Sequence, residues 1–173
     1  MILLFIGSLF YLPKIYGQTK TTSVGITLIE YSEGFQPRAY LCPAHVWTIF
    51  YGHTGYDVHP GMTGTRQQGE LVLKNDLLRF DNYIKRTVDR NMKWHEYDAL
   101  SSFVFNVGYK INSELKEALD TGNTRMVITI LMKYTKAKVN GRLIILPGLL
   151  QRRKAESALY QDNLSSALFK GLL

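Results

Sequence analysis

Glu33 is the residue of this sequence best suited to acid catalysis. It follows a short segment with helical spacing and precedes Gly34, which can end a helix. Tyr31 and Phe35 flank it, and a carboxyl group held among aromatic and apolar groups keeps its proton to a higher pH. Such a group can act as a general acid, which protonates a departing oxygen atom. The alternative for a lone Glu at a helix end is an ordinary surface acid.

Hydrolysis assisted by an acid needs a second group, which activates water or attacks the substrate from the other side. Cys42 follows Glu33 by nine residues on the first predicted strand, and a hairpin that returns past the helix end can bring both to one cleft. Thr48, on the next strand, can hold the water through its hydroxyl. The alternatives are that Cys42 is a small hydrophobe and Thr48 a plain β-former.

The pattern of apolar residues predicts an α+β fold with a small β lobe near the start and a larger helical lobe after it. Residues 23–32 are predicted to form a short helix, and residues 38–58 a hairpin or three-stranded sheet, the only clear β region. The remaining predicted helices begin at Thr65 with a capping box, at Trp94, at a cap on Asn112 or Ser113, and over residues 125–136 and 149–160. Such a layout leaves a cleft between the lobes, a common place for a substrate.

The composition limits the class of protein. The chain has 173 residues, 46% of them hydrophobic, which suits one domain with a sizeable core. Its formal charge of +7 suits a polyanionic partner, and charge alone does not choose among nucleic acid, an anionic membrane and bacterial cell wall. Cys42 is the single cysteine, so no internal disulfide and no zinc cluster can form.

The N-terminus carries an apolar run, residues 2–12, that matches the core of a secretory signal peptide. The run has 11 residues, whereas a membrane-spanning helix needs about 20. Cleavage after Gly17 would leave residues 18–173 as the mature domain and lower the formal charge to +6 through loss of Lys14. A lipid-facing anchor and a core-packing segment are the alternatives. The sequence thus favours a secreted or periplasmic protein over a membrane-tethered one.

Two short sequence patterns match only part of a known catalytic or metal-binding motif. His95 and Glu96 begin the zinc-protease pattern H-E-x-x-H, but Ala99 stands where the second ligand is needed. Ser113 and Lys116 match S-x-x-K without the partner motifs of that chemistry. Neither pattern indicates a metal site or a serine nucleophile.

Four sequence blocks follow one another at a defined spacing. The first runs from the E-G pair at residues 33–34 to the T-I-F-Y-G-H-T run at residues 48–54. The others are a G-x-T and E-x-x-L-x-x-D segment ending at residue 76, a D-A-L-x-x-F-x-x-N-x-G helix at residues 98–108, and a G-L-x-x-R-R-x-x-E ending at residues 148–156. In these blocks, which span roughly residues 24–160, the chain resembles the phage-type lysozymes, glycoside hydrolase family 24, also called endolysins or muramidases.

The resemblance implies a role for each matching position. It implies that Glu33 is the acid and that Cys42 stands where most members carry Asp and some carry Cys, with Thr48 six residues later. A thiol of ordinary pKa, about 8.5, is mostly protonated at pH 7, so Cys42 needs either a lowered pKa or a higher working pH.

The resemblance also implies residues around this centre. His53 is expected to pair with Asp76 as a structural pair, and Arg152 or Arg153 to face the cleft and bind substrate. Phe50 departs from the family, which usually has Gly there. Its ring is expected to fill part of the cleft against the substrate or to tilt the strand.

The leading functional hypothesis is an active N-acetylmuramidase. The resemblance implies that it cuts the β-1,4 bond between N-acetylmuramic acid and N-acetylglucosamine in peptidoglycan, with no cofactor or metal, no nucleic-acid partner and no stable membrane span, as a monomer. A second hypothesis is a catalytically impaired glycan-binding module that keeps the lysozyme fold. A third is a membrane-tethered lytic protein held by an uncleaved N-terminus.

Overall fold

A computed structural model describes residues 17–139 and 141–165. Its elements in chain order are α1 (Ser23–Glu33), β1 (Gln36–Leu41), β2 (Trp47–Phe50), β3 (His53–Thr54), α2 (Arg66–Thr87), α3 (Trp94–Val107), α4 (Ser113–Asp120), α5 (Thr124–Leu131), β4 (Lys136–Val139), β5 (Arg142–Ile145) and α6 (Pro147–Tyr160). The α+β architecture of a small sheet lobe and a larger helical lobe is therefore confirmed.

The small lobe is an antiparallel sheet in the order β1–β2–β3. Tyr40 pairs with Thr48, and Thr48 pairs with Thr54 on its other side, so Thr48 lies on the central strand. A separate apolar cluster lies beneath this sheet and includes Ile29 of α1, Ile49 of β2 and Leu73 of α2. The sheet thus rests on the end of the same helix that carries Glu33.

The helical lobe is built around α3, of which ten consecutive residues from His95 to Val104 are buried. Its core cluster includes Leu100 and Phe103 of α3 together with Leu159 of α6. Helix α2 has 22 residues and contributes to both cores, through Leu77 in the small lobe and Ile84 in the helical lobe. One continuous helix of about 33 Å therefore connects the two lobes.

The start of α1 is fixed to the helical lobe by a buried carboxylate. Asp98 of α3 is fully buried and accepts hydrogen bonds from the backbone N–H of Thr22 (2.8 Å) and of Gly25 (3.0 Å). Such acceptors satisfy the otherwise unpaired N–H groups of a helix start. The cap of α2 by Thr65 and Gln68 and the cap of α4 by Asn112 are as predicted.

The second half of the chain departs from the prediction in one place. Helix α5 ends at Leu131, and residues 136–145 form a second antiparallel hairpin, β4–β5, instead of the end of a helix over residues 125–136. The prediction of a single β region was therefore wrong. In the described part of the chain, none of the helices is both long and apolar enough for a bilayer span. The predicted signal peptide lies outside the described residues, apart from Gly17.

Candidate active site

Glu33 is the last residue of α1 and lies where the two lobes meet. Gly34 ends the helix with φ of +71° and donates its N–H to the carbonyl of Glu30 (3.0 Å). The turn between β2 and β3 brings Gly52 beside the carboxylate, since a Cβ on Gly52 would lie 3.7 Å from Oε2 of Glu33. Gly52 itself has φ of +83°, a conformation that favours glycine. The carboxyl group is partly exposed, with a side-chain exposure of 23%.

Arg152 of α6 binds the other oxygen of Glu33. Its Nη1 donates to Oε1 of Glu33 at 2.5 Å, its Nη2 donates to the carbonyl of Ser102 at 2.9 Å, and its Nε donates to Glu156 at 3.2 Å. The guanidinium is nearly buried, so these three partners fix its orientation. The immediate neighbour of Glu33 is therefore a cation, rather than the apolar and aromatic walls that the sequence suggested.

Arg153 lies behind this contact and does not reach the cleft. It is fully buried, its Nε lies 2.7 Å from Oε2 of Glu156, and its guanidinium stacks 4.9 Å from the centre of the Phe103 ring. Its Nη2 also donates to Oδ1 of Asn106 (3.1 Å). Of the two arginines expected to bind substrate, only Arg152 lies beside Glu33. Arg153 is a core residue.

Glu156 joins both arginines and was not singled out as a functional residue from the sequence. It is fully buried and also accepts a hydrogen bond from the Ser102 hydroxyl (2.8 Å). Burial raises the pKa of Glu156, while the two guanidinium groups act in the opposite direction. The spacing R-R-x-x-E placed a carboxylate one helical turn after two cations, and this was the available signal.

Cys42 and Thr48 lie together at the far end of the β1–β2 hairpin. Cys42 directly follows β1 and donates its N–H to the carbonyl of Val46 (3.0 Å), and its thiol is free and partly exposed. Hydrogen bonds from the backbone of Val46 and of Ala44 lower the pKa of the Cys42 thiol, with a smaller contribution from the Thr48 side chain. Thr48 is buried, and its hydroxyl donates to the carbonyl of Val46 (3.1 Å). The structure thus places the predicted nucleophile or base and the predicted water-holding residue at the same end of the hairpin.

Phe50 corrects an expectation. Its side chain is 3% exposed and stacks on Phe35 with ring centres 6.0 Å apart, so it fills the core of the small lobe and does not contact the cleft. Gly64 makes room for it, because a Cβ there would lie 2.5 Å from Cζ of Phe50. Phe50 has φ of +57°, in the left-handed region, which accounts for a preference for glycine at this position.

His53 forms the expected pair with Asp76. Its Nδ1 lies 2.7 Å from Oδ2 of Asp76, and its Nε2 lies 3.2 Å from Asp57. Burial alone would lower the pKa of His53, but hydrogen bonds to the two carboxylates outweigh it and raise the pKa. The pair connects β3 to α2 and so helps to hold the sheet in place. Among the residues described by the structure, no three His, Cys, Asp or Glu side chains cluster as a metal site would require.

Comparison with known proteins places this geometry in a family context. Residues 30–156 match the family model described as Phage lysozyme. The endolysin of Acyrthosiphon pisum secondary endosymbiont phage 1 is 37% identical over 140 residues, covering 80% of this chain and 95% of that protein. The endolysin of Bacillus phage PZA is 32% identical over 154 residues, which cover 87% of this chain but 58% of that longer protein. The solved endolysin of Escherichia coli O157:H7 phage FAHEc1 superposes with a TM-score of 0.77 at 28% identity, covering 85% of this chain and 96% of that one.

Proposed function

Because the chain belongs to the phage lysozyme family, we propose that it is an active N-acetylmuramidase, which cuts the β-1,4 bond between N-acetylmuramic acid and N-acetylglucosamine in peptidoglycan. Family membership itself supports peptidoglycan hydrolysis. The proposal of β-1,4 cleavage with Glu33 as the acid rests on the position of its carboxyl group. This group lies between Arg152 and the Gly52 turn, at the junction of the lobes.

The proposed acid step uses the two oxygens of Glu33 differently. Oε1 is occupied by the guanidinium of Arg152, whereas Oε2 lies beside the backbone of Gly52. Gly52 has no side chain there, so a glycan can approach this oxygen closely. We therefore assign Oε2 as the atom that carries the proton and gives it to the departing glycosidic oxygen.

The proposed second group is the thiol of Cys42, assisted by Thr48. Its lowered pKa increases the fraction of thiolate, which is the reactive form of a cysteine. The thiolate either takes a proton from the attacking water or attacks the sugar itself, and Thr48 beside it positions the water in the first case. The binding-module hypothesis loses one of its two supports, since the ring of Phe50 is in the core and does not block the cleft.

Glu33→Gln tests the proposal directly. The amide has nearly the same shape but cannot donate a proton, so we expect cleavage of purified peptidoglycan to fall at least about 100-fold, the low end of a general acid's contribution. Glu117→Gln is the matched control, because Glu117 is an exposed acid of α4 and should leave cleavage unchanged. Glycan products identified by mass spectrometry would name the bond. Parental activity in Glu33→Gln would contradict the proposed mechanism.

We further propose that the protein acts outside the cytoplasm after removal of residues 1–17. Gln18, the proposed first residue of the mature chain, already donates its N–H to the carbonyl of Met92 (3.1 Å), and Tyr97 donates to the carbonyl of Thr19 (3.0 Å). The mature chain would thus begin on a segment packed against the helical lobe. N-terminal sequencing of exported protein should start at Gln18. Recovery of the intact Met1 terminus from the membrane fraction would favour a tethered form instead.

A further inference from the structure

The β4–β5 hairpin presents an apolar surface that the proposed hydrolysis does not use. Four of its aliphatic side chains are exposed: Val139 (40%), Leu143 (67%), Ile144 (43%) and Ile145 (55%). The hairpin forms its own two-stranded sheet and extends neither the sheet of the small lobe nor any other described strand. Leu143 and Ile145 lie two residues apart on β5 and so share one face of the hairpin, whereas Val139 and Ile144 belong to the other face. Exposed aliphatic residues grouped on one face are typical of a binding surface.

The register of the hairpin places lysines and aliphatic residues on one face. Lys136 is opposite Ile145, and Lys138 is opposite Leu143. Directly opposite residues in an antiparallel pair project to the same side, and the alternate pairs project to the other. All four of these residues are exposed, so this face carries a row of lysines on β4 beside a row of aliphatic side chains on β5.

The surrounding sequence is uniformly basic. Between Asp120 and Glu156 the chain has eight Lys and Arg residues and no acidic residue. Arg152 and Arg153 are buried in the cluster with Glu156, and Lys133 pairs with Glu114 at 3.2 Å. Lys136 and Lys138 have no ion-pair partner among the residues that the structure describes. Their charge is therefore available to an anionic surface.

We propose that the hairpin face formed by Lys136, Lys138, Leu143 and Ile145 docks on an anionic lipid bilayer. The lysines would lie among the lipid phosphates while the aliphatic side chains enter the boundary of the acyl chains. A soluble polyanion would leave Leu143 and Ile145 in water. A second copy of the chain, seated by the same face, would bury Lys136 and Lys138 with no carboxylate on that face to pair with them. This inference stands independently of the catalytic proposal.

The test needs a readout specific to the hairpin, because an uncleaved apolar N-terminus would itself bind lipid. Leu143→Trp in the full chain places a fluorophore on the proposed face, and Leu71→Trp, at a residue of 63% exposure on α2, is the matched control. Fluorescence is measured with vesicles of brominated phosphatidylcholine, alone or with phosphatidylglycerol. We expect added quenching for Leu143→Trp only with phosphatidylglycerol, and none for Leu71→Trp.

Lys136→Gln with Lys138→Gln in the Leu143→Trp chain completes the test. This double change should weaken the quenching at least about tenfold in apparent affinity, because each basic residue near an anionic surface contributes about fivefold. Circular dichroism checks that each variant is folded, and Ile145→Trp replaces Leu143→Trp if it is not. Equal quenching at positions 143 and 71, equal quenching in neutral vesicles, or a blue shift on self-association without lipid would each overturn the proposal.

Discussion

At the scale of single residues, Cys42 carries the most distinctive chemistry. A Cys where most relatives are expected to carry Asp gives a different dependence on pH, since a thiol of ordinary pKa ionises far above a carboxyl. Hydrogen bonds from the backbone of Val46 and of Ala44 lower the pKa of the Cys42 thiol and so bring it closer to the pKa of a carboxyl. The hairpin geometry therefore favours the thiolate form, which the proposed role of Cys42 requires.

We predict that hydrolysis rises with pH as the Cys42 thiol ionises, with the rise at a lower pH than an ordinary thiol would give. Cys42→Asp should keep substantial activity and shift the rising limb to lower pH, because a carboxylate can perform either role. Initial rates on peptidoglycan over a pH series measure this rise in the parent and in Cys42→Asp.

Cys42→Ala and alkylation with iodoacetamide, unlike Cys42→Asp, leave no group at this position that can ionise. Both should abolish hydrolysis while the melting temperature changes little, since the thiol is partly exposed. If Cys42→Ala hydrolyses peptidoglycan at the parental rate and alkylation leaves that rate unchanged, Cys42 has only a packing role. Glu33 would then work with a water held by Thr48 alone.

The sequence predicted contacts made by local motifs better than it predicted burial. The pairing of His53 with Asp76 is confirmed, whereas a cleft shared by Cys42 and Glu33 stays a prediction. Phe50 was wrongly placed in the cleft because its environment depends on Gly64 and on Phe35, which the chain brings together only after folding. Arg152 and Arg153 are adjacent in sequence, and only the rotation of α6 about its axis decides which one meets Glu33.

At the scale of elements, six helices and the first sheet were predictable, and the second hairpin was missed. The helix predicted over residues 125–136 continued five residues beyond the end of α5, and no strand was predicted after it. The mixture of lysines and aliphatic residues there fits neither the helical nor the strand period clearly. The Asn-Gly pair at residues 140–141 between two β-forming runs was the better signal, since this dipeptide is typical of tight hairpins. Gly141 has φ of +79°, as such a turn requires.

The attachment of β3 to α2 gives a prediction at this scale. Asp76→Asn should destabilise the protein by about 1–3 kcal/mol, below the range for a fully buried pair, because both side chains keep some exposure. The pKa of His53 is raised by its partners, so their stabilisation is present below the ordinary pKa of His and is lost as pH rises through the raised value. The melting temperatures of the parent and of Asp76→Asn should therefore differ most at mildly acidic pH.

Asp57→Asn is the control for this pair. Asp57 contacts the other ring nitrogen of His53 at 3.2 Å but is 53% exposed, so its loss should change the melting temperature much less. Equal effects of the two substitutions at every pH would contradict a specific role for Asp76.

At the scale of the whole molecule, one ionic cluster joins three helices at the candidate active site. Glu33 ends α1, Ser102 lies in the middle of α3, and Arg152 and Glu156 lie on α6. With Arg153 the cluster holds two cations and two anions, so its charges balance. The residues of this cluster all lie in the sequence blocks described above. Their assembly, however, depends on the packing of α3 against α6 in the core.

We predict that Glu156→Gln unfolds the protein far more readily than a surface substitution would. It leaves two nearly buried guanidinium groups with Glu33 as their remaining carboxylate, and removal of one partner from a buried pair costs about 3–5 kcal/mol. Arg153→Met combined with Glu156→Met removes one charge of each sign and fills the space with apolar atoms. This double variant should unfold at a higher temperature than Glu156→Gln, because replacing a buried pair by apolar groups is often neutral.

Comparison of Glu156→Gln with the double variant distinguishes the contribution of charge balance to stability from that of side-chain packing. In both, Arg152 keeps its contact with Glu33, so peptidoglycan cleavage measured below the melting temperature should persist. Chemical denaturation of the parent and of both variants gives the free energies to compare, with Glu117→Gln as the surface reference. If Glu156→Gln were as stable as the parent while the double variant were not, the cluster would be held by the shape of Arg153 against Phe103, and its charges would contribute little to the stability of the fold.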